Sequence, residues 1–335
     1  MIRLVYAELT KAKRPLVGAV ALGFLVAAAT FAWQQQAAAN QLIGFVDSSL
    51  STPEGINQSA GSRQLPTCDS LGLAPGPECD KVIARARQAY QAQLDAMNRQ
   101  AQADRVAVRT AAVQQNPLGA GQIAAWLVAS LLGALAAFLL AAGQFGGEWT
   151  GGTIATVLTQ VNRRWRLLVA KLISLLILTE TLLLITWTML AALAFLFRAE
   201  YPMPPSNQVS AADAFSVAAP LLARSVLVTA TFCVLGVLAA VITRNALGTL
   251  LLALGGLIVW MMFVLVPALV KVSIGYWVSG WMGFTDGGFS SGQVWSGVPT
   301  GMSQPTPWPG LAGLVALLIV GLIAATVRFQ RLDIS

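Results

Sequence analysis

Six blocks of apolar residues dominate the sequence, and each is long enough to cross a membrane. They cover residues 16–33, 123–142, 167–197, 218–242, 246–270 and 311–327. A helix of about 20 residues spans a hydrocarbon core of about 30 Å. In lipid, a segment of this kind must satisfy its backbone hydrogen bonds internally, which a helix does. The sequence therefore predicts an all-α integral membrane protein with six transmembrane helices.

The composition supports this class and excludes several others. Of the 335 residues, 56% are hydrophobic and only 10% are charged, whereas soluble domains carry about a quarter charged residues. The chain has no histidine, which rules out histidine-based acid–base catalysis and histidine metal ligation. The net charge of +7 comes from cations at the ends of apolar blocks, a pattern typical of membrane topology and not of nucleic-acid binding. We expect no metal, no cofactor and no nucleic acid on this chain.

The short connections between the blocks decide the orientation. Those assigned to the inner side carry Arg3, Lys11, Lys13, Arg14, Arg163, Arg164, Arg166, Arg244, Arg328 and Arg331. The short outer connections offer little beyond Arg198 and Lys271. Because cytoplasmic loops are enriched in lysine and arginine, we predict a multi-pass protein of the plasma membrane with both termini in the cytoplasm.

The long polar region is predicted to be an insertion outside the membrane, at residues 34–121 of a single transmembrane domain spanning 1–335. Residues 34–50 extend the first span, and the apolar stripe of residues 80–115 predicts one long helix that Asn116-Pro117 ends. Together they predict an extracytoplasmic helical hairpin. The competing interpretation is a flexible loop with one helical patch.

Two cysteines flank a turn in this region. Cys68 and Cys79 lie on either side of the Gly/Pro-rich residues 71–77. Outside the cell such a pair is oxidised. We expect a disulfide between them.

The polar insert of residues 144–171 joins the second and third blocks. Within it, Ile154, Val157, Leu158 and Val161 recur at spacings of three and four, with Thr153, Thr156 and Gln160 on the opposite side. This periodicity predicts a short amphipathic helix on the cytoplasmic membrane surface. Arg163, Arg164 and Arg166 would anchor it at anionic headgroups, at about 1 kcal/mol each. The alternative is a linker whose periodicity arose by chance.

Ionisable residues inside the apolar blocks are expected to face other helices. Glu180 lies within the third block and Arg224 near the outer end of the fourth. Such residues line a pathway or tie helices together, and arginine near an end snorkels to the interface. Before the last block, the tryptophan-rich residues 276–284 predict a short re-entrant or interfacial helix.

These features resemble the membrane subunit of type-2 ABC exporters. The likeness is carried by EWTGGT at 148–153, by Val157-Leu158, by NRRWR at 162–166, by Ala170-Lys171 and by the terminal RFQRLDI at 328–334. The chain departs from the family pattern at Gln160-Val161, where family members often have a proline, and its 34–121 loop is longer than in many members.

The resemblance implies a permease that is not itself an enzyme and that pairs with a cytosolic ABC ATPase. The partner would hold ATP and Mg, because the chain contains no G-x-x-x-x-G-K-[ST] phosphate cradle. The family also implies a second permease copy, identical or related. Residues expected to couple the chain to the ATPase are Glu148, Thr153, Thr156, Val157, Gln160 and Arg163. The implied function is export of a hydrophobic or amphipathic substrate such as a lipid, drug, peptide or glycan.

Two other classes of function remain open at this point. One is a secondary transporter that uses an ion gradient through Glu180, although the chain shows no convincing internal repeat of the kind common in such proteins. The other is a sensor or assembly protein that acts through the outer hairpin.

Overall fold

The computed structural model describes residues 5–7, 15–50, 76–152, 164–200, 208–283 and 306–331. The regular elements in these ranges are all helices. In chain order they are α1 (Pro15–Leu50), α2 (Pro77–Gln115), α3 (Gly121–Ala129), α4 (Leu131–Ala141) with a π-helical turn (Ala142–Gly146), α5 (Gly147–Thr150), α6 (Arg164–Glu200), α7 (Ala211–Thr243), α8 (Ala246–Leu265), α9 (Pro267–Val270), α10 (Ile274–Met282) and α11 (Pro307–Gln330). Cys68, Thr153, Thr156, Val157, Gln160 and Arg163 lie outside the described residues.

Several of these helices are suited to a membrane. In the described ranges, four are long and apolar enough to cross it: Leu131–Trp149, Arg164–Leu196, Ala211–Thr243 and Pro307–Gln330. Two shorter apolar helices, Val17–Phe31 and Ala246–Trp260, coincide with the first and fifth apolar blocks. The regular structure of the described residues is all-helical, as predicted, and its apolar helices are consistent with a membrane protein. The number of six spans stays a prediction.

The second apolar block does not form the single helix predicted for residues 123–142. Its helix breaks at Ser130, whose backbone is extended (φ −85°, ψ 178°). The Ser130 hydroxyl donates to the Leu127 carbonyl (2.6 Å) and accepts from the Leu132 amide (3.2 Å). It thereby caps the second half, since a serine oxygen satisfies an amide left free at a helix start. The spanning helix begins there and continues to Trp149.

Helix α7 lies at the centre of the bundle. It packs against α3, α4, α8 and α11, and 61% of its most apolar window is buried, against 22% for α11. The core around it includes Phe232, Val237, Leu140 and Leu167. Consequently α7 contacts most of the other helices, whereas α11 presents most of its surface outward.

The helices of the predicted hairpin form as expected from the sequence. α1 runs unbroken to Leu50, and α2 ends at Asn116, where the sequence placed its stop. The two helices pack against each other, and Phe31 of α1 stacks on Trp126 of α3 with ring centroids 4.7 Å apart. Cys79 is fully buried, and its pairing with Cys68 stays a prediction, as does the extracytoplasmic location.

The short helix predicted for residues 276–284 is present as α10, shifted by two residues. Ser273 caps its start by accepting from the Tyr276 amide (3.1 Å), and Gly283 ends it with φ 69°. α10 lies so close to α11 that a Cβ at Gly310 would be 2.5 Å from the Trp277 carbonyl oxygen. Only glycine permits this approach, which fixes α10 on the side of α11.

Candidate functional site

The end of the second spanning helix differs from the sequence interpretation. The polar insert was expected to leave the helix at Gln144, but the chain stays helical through Thr150. Residues 142–146 form a π-helical turn in which Gln144 and Phe145 are buried. Turns of this kind are rare and are found often at functional sites. The extra residue in the turn changes the direction of the side chains that follow it, including Glu148.

Glu148 forms a buried ion pair with Lys171 of α6. The Glu148 Oε2 and Lys171 Nζ atoms are 2.8 Å apart, and the two side chains are 2% and 0% exposed. A buried pair gains little net stability from its charges, because both ions lose their hydration. Removing one partner is nevertheless costly, since the other charge is left buried without compensation. We call this contact and the side chains around it the junction.

Other side chains hold the junction from both helices. The Lys171 ammonium lies 5.3 Å from the centroid of the Phe145 ring, within the range of a cation–π contact. Ser174, one turn further along α6, donates to the Gln144 side-chain oxygen at 3.4 Å and to the Lys171 carbonyl at 3.0 Å. The end of the second spanning helix and the start of α6 are therefore tied by charge, ring and hydrogen-bond contacts.

The two residues of the ion pair lie on either side of the connection between the two helices. Glu148 lies in α5, before the connection between the two helices, and Lys171 lies seven residues after the start of α6. The ion pair therefore joins the two helices across residues 149–170. The ion pair thus ties the end of the second spanning helix to α6.

The junction also contacts the turn between α7 and α8. The Arg244 guanidinium lies 5.7 Å from the centroid of the Trp149 ring. A Cβ at Gly146 would be 2.5 Å from the Ala246 Cα, so the π-helical turn and the first residue of α8 touch through their backbones.

Only part of the predicted coupling set can be located. Glu148 is inside the protein, so a direct contact with another subunit would require its pair with Lys171 to separate. Arg164 donates to the Gln330 carbonyl at the end of α11 (3.4 Å). Arg166 is exposed and lies 5.8 Å from the centroid of the Trp165 ring. The predicted roles of these residues stay predictions.

Sequence reasoning missed two residues of this site. Lys171 entered only as part of the family resemblance, and Arg244 only as a topology signal. The sequence offered one usable hint. Lys171 is the fifth residue of the predicted third apolar block, residues 167–197. A charge at that depth needs a partner.

The two ionisable residues noted inside the spans lie apart from the junction and do not pair with each other. One Glu180 carboxylate oxygen is buried without a hydrogen-bond partner, and the group lies beside Thr229 of α7. Arg224 lies 5.6 Å from the centroid of the Trp281 ring. It donates to the Met282 carbonyl at 3.5 Å, and its own carbonyl accepts from the Trp281 indole at 2.9 Å. Arg224 thus binds the end of α10, and its predicted position at the membrane interface stays a prediction.

An apolar cavity of about 240 Å³ lies between α4, α7 and α8. Its walls are mostly apolar and include Phe138, Phe232, Leu235, Leu252, Leu257 and Trp260. In the described part of the chain, no group of three or more Cys, Asp or Glu side chains could hold a metal ion. The cavity suits an alkyl or aromatic group and offers nothing to a charged one.

Comparison with known families gives one result. A family model described as "ABC-2 family transporter protein" matches residues 13–281, which is more than half of the chain. No curated protein and no solved structure matches.

Proposed function

The chain belongs to the ABC-2 transporter family, and on this basis we propose that it is the membrane subunit of an ATP-driven exporter. A separate cytosolic ABC ATPase would bind ATP and Mg and hydrolyse the ATP. The observation that carries the proposal is the buried Glu148–Lys171 pair, which closes the connection between two spanning helices and so lets a push on that connection move both.

The coupling element of the proposal is the connecting segment itself. Thr153, Thr156, Val157, Gln160 and Arg163 would meet a groove on the ATPase. Glu148 would act inside the membrane subunit and not at the ATPase surface. Since its side chain is buried against Lys171, it would pass the movement of the segment into α6 without touching the ATPase. Arg163, Arg164 and Arg166 would hold the segment at anionic headgroups of membrane lipids.

The proposed topology has six spans, with both termini in the cytoplasm of a plasma-membrane protein and the α1–α2 hairpin outside. Six apolar helical segments support it, together with the positive charges of the short inner connections. Mass spectrometry of unreduced protein from native membranes tests the outside location through Cys68 and Cys79. A disulfide is expected, and two free thiols would contradict the proposed side of the hairpin.

The proposed cargo is hydrophobic or amphipathic: a lipid, drug, peptide or glycan. The mostly apolar cavity between α4, α7 and α8 supports an apolar group on the substrate. We further propose that two permease copies form the pore. Crosslinking in membranes tests this, and a strictly monomeric active complex would reject it.

The central experiment is identification of the ATPase. Affinity-tagged chain is purified from its native membrane, co-purifying proteins are identified, and ATP hydrolysis by any ABC ATPase found is measured alone and with the chain in lipid nanodiscs. We expect a stoichiometric ABC ATPase whose hydrolysis rate changes with the permease. An ATPase variant lacking its phosphate-binding lysine gives the background rate. The exporter proposal fails if no ABC ATPase binds, or if the chain leaves its hydrolysis unchanged.

A second candidate function rests on Glu180, whose buried carboxylate oxygen without a partner could serve a gradient-driven transporter. In that case Glu180→Gln would abolish uptake or efflux driven by a proton gradient, and ATP depletion at a constant gradient would have no effect. In an exporter driven by ATP, depletion stops transport directly.

A further inference from the structure

The turn between α7 and α8 contains an unusual backbone conformation. Arg244 ends α7 with φ 52° and ψ 22°, and within the described ranges it is the one residue other than glycine with positive φ. This left-handed conformation is common after a helix, but glycine and asparagine normally occupy it, because a Cβ is crowded there. Backbone strain of this kind is common at functional positions, so the side chain of Arg244 is a candidate for a functional role.

The side chain of Arg244 reaches the segment that leaves the junction. Its guanidinium lies 5.7 Å from the centroid of the Trp149 ring, and Trp149 directly follows Glu148. The Trp149 indole nitrogen is buried without a hydrogen-bond partner. The arginine thus makes a cation–π contact with this ring.

The turn that carries Arg244 is itself rigid. The Asn245 side-chain oxygen accepts from the Leu247 amide at 3.0 Å, and the Thr249 hydroxyl donates to the Asn245 carbonyl at 2.7 Å. Beside it, Ala246 touches the backbone of Gly146 in the π-helical turn. A displacement of Trp149 is thus met by a stiff turn and not by a loose loop.

From these contacts we infer that Arg244 is a positioning residue that carries movement of Trp149, at the end of the second spanning helix, to α7 and α8. The inference rests on the proposed exporter function and extends it. The ion pair with Lys171 moves α6, and the Arg244–Trp149 contact brings the central helix α7 into the same movement. The apolar cavity between α4, α7 and α8 lies along those two helices, so its shape would change with the turn.

Arg244→Gly tests the inference because it separates the two roles an arginine could have here. Glycine accepts the left-handed backbone without strain, so the thermal stability should stay the same or rise. Permease-dependent stimulation of ATP hydrolysis should fall about 2- to 30-fold, the range seen for residues that modulate coupling between sites. Trp149→Leu should lower the stimulation of ATP hydrolysis by a similar factor. Arg244→Lys and Trp149→Phe, which keep a cation and a ring, should retain more of the stimulation.

Arg331→Gly is the matched control, because Arg331 also follows the end of a helix but is exposed and its backbone has φ −82°. It should leave stimulation unchanged. If Arg331→Gly lowers stimulation as much as Arg244→Gly, the effect is one of inner-surface charge and the inference is overturned. Wild-type stimulation in Arg244→Gly would overturn it as well.

A distance measurement makes failure of this inference distinguishable from failure of the exporter proposal. Spin labels on Gly151→Cys and Leu247→Cys, both exposed positions, report the spacing between the segment and α8 without any ATPase. We expect a narrow distance distribution that broadens in Arg244→Gly and in Trp149→Leu. An unchanged distribution contradicts the positioning role, even where an ATPase is found. Absence of any stimulating ATPase would instead count against the exporter proposal, while the broadening would still establish what Arg244 holds.

Discussion

The junction and the end of α10 each place a cation on an aromatic ring, but they differ in what else holds that cation. Lys171 lies near Phe145 and also binds the Glu148 carboxylate at 2.8 Å in full burial. Arg224 lies near Trp281 and donates to the Met282 carbonyl at a long 3.5 Å, with partial exposure. A buried pair of full charges tolerates no separation, whereas an arginine on a helix-end carbonyl does. We therefore expect the Lys171–Glu148 contact to transmit force and the Arg224–Met282 contact to change its length and angle.

The largest expected effect comes from breaking the junction. Lys171→Met leaves Glu148 buried without its cation, and we expect a loss of about 3–5 kcal/mol in the free energy of unfolding. Denaturant titration in mixed micelles measures it.

The double variant Lys171→Met with Glu148→Leu separates stability from transmission. Replacing a buried pair by apolar groups is often neutral for stability, so this variant should unfold close to wild type. Its stimulation of the ATPase should nevertheless stay low, because the tie across the segment is weaker. A double variant that is as unstable as the single one would show that packing, and not the lost charge partner, sets the cost.

The backbone contact of the junction gives the next effect. A Cβ added at Gly146 would be 2.5 Å from the Ala246 Cα and 2.7 Å from its nitrogen. Neither backbone can yield easily, so Gly146→Ala should destabilise by about 1–3 kcal/mol, as overpacked cores do. Gly255→Ala on α8 is the control, since its Cβ would meet nothing within 4 Å. There the better helix propensity of alanine should leave stability equal or up to about 1 kcal/mol higher.

The contrast between the two regions also explains what the sequence could predict. Apolar length places the helices, because each must satisfy its own backbone in lipid whatever its neighbours are. The junction depends on a partner 23 positions away, 171 minus 148, and no local pattern shows that pairing. Gly146-Gly147 beside Glu148 looked like the start of a surface loop. In the structure, Gly146 serves close packing against α8, and the helix continues past it.

At the other end, the helix predicted before the last span could be placed because its tryptophans cluster. The group that Arg224 binds could not be predicted from the sequence. Snorkelling to an interface and capping a helix end use the same side chain at the same depth. The deciding fact is the approach of α10 to α7. It depends on the close packing of α10 on Gly310 of α11, which is a tertiary contact.

The smallest expected effect is at Arg224, and it tests whether that contact is the adjustable one. A cation at a helix C-terminus contributes about 0.3–1 kcal/mol when partly exposed, and a cation–π contact at such a site contributes a similar amount. Arg224→Gln should therefore lower the free energy of unfolding by about 1 kcal/mol, well below the effect of Lys171→Met. Arg224→Lys, which keeps the charge, should lose less. Both are measured by the same denaturant titration, with hydrogen exchange of the α10 amides as a local readout. Faster exchange in α10 with little global change would support an adjustable contact. A global loss as large as that of Lys171→Met would instead make Arg224 a second rigid tie, and the contrast between the two ends of the bundle would disappear.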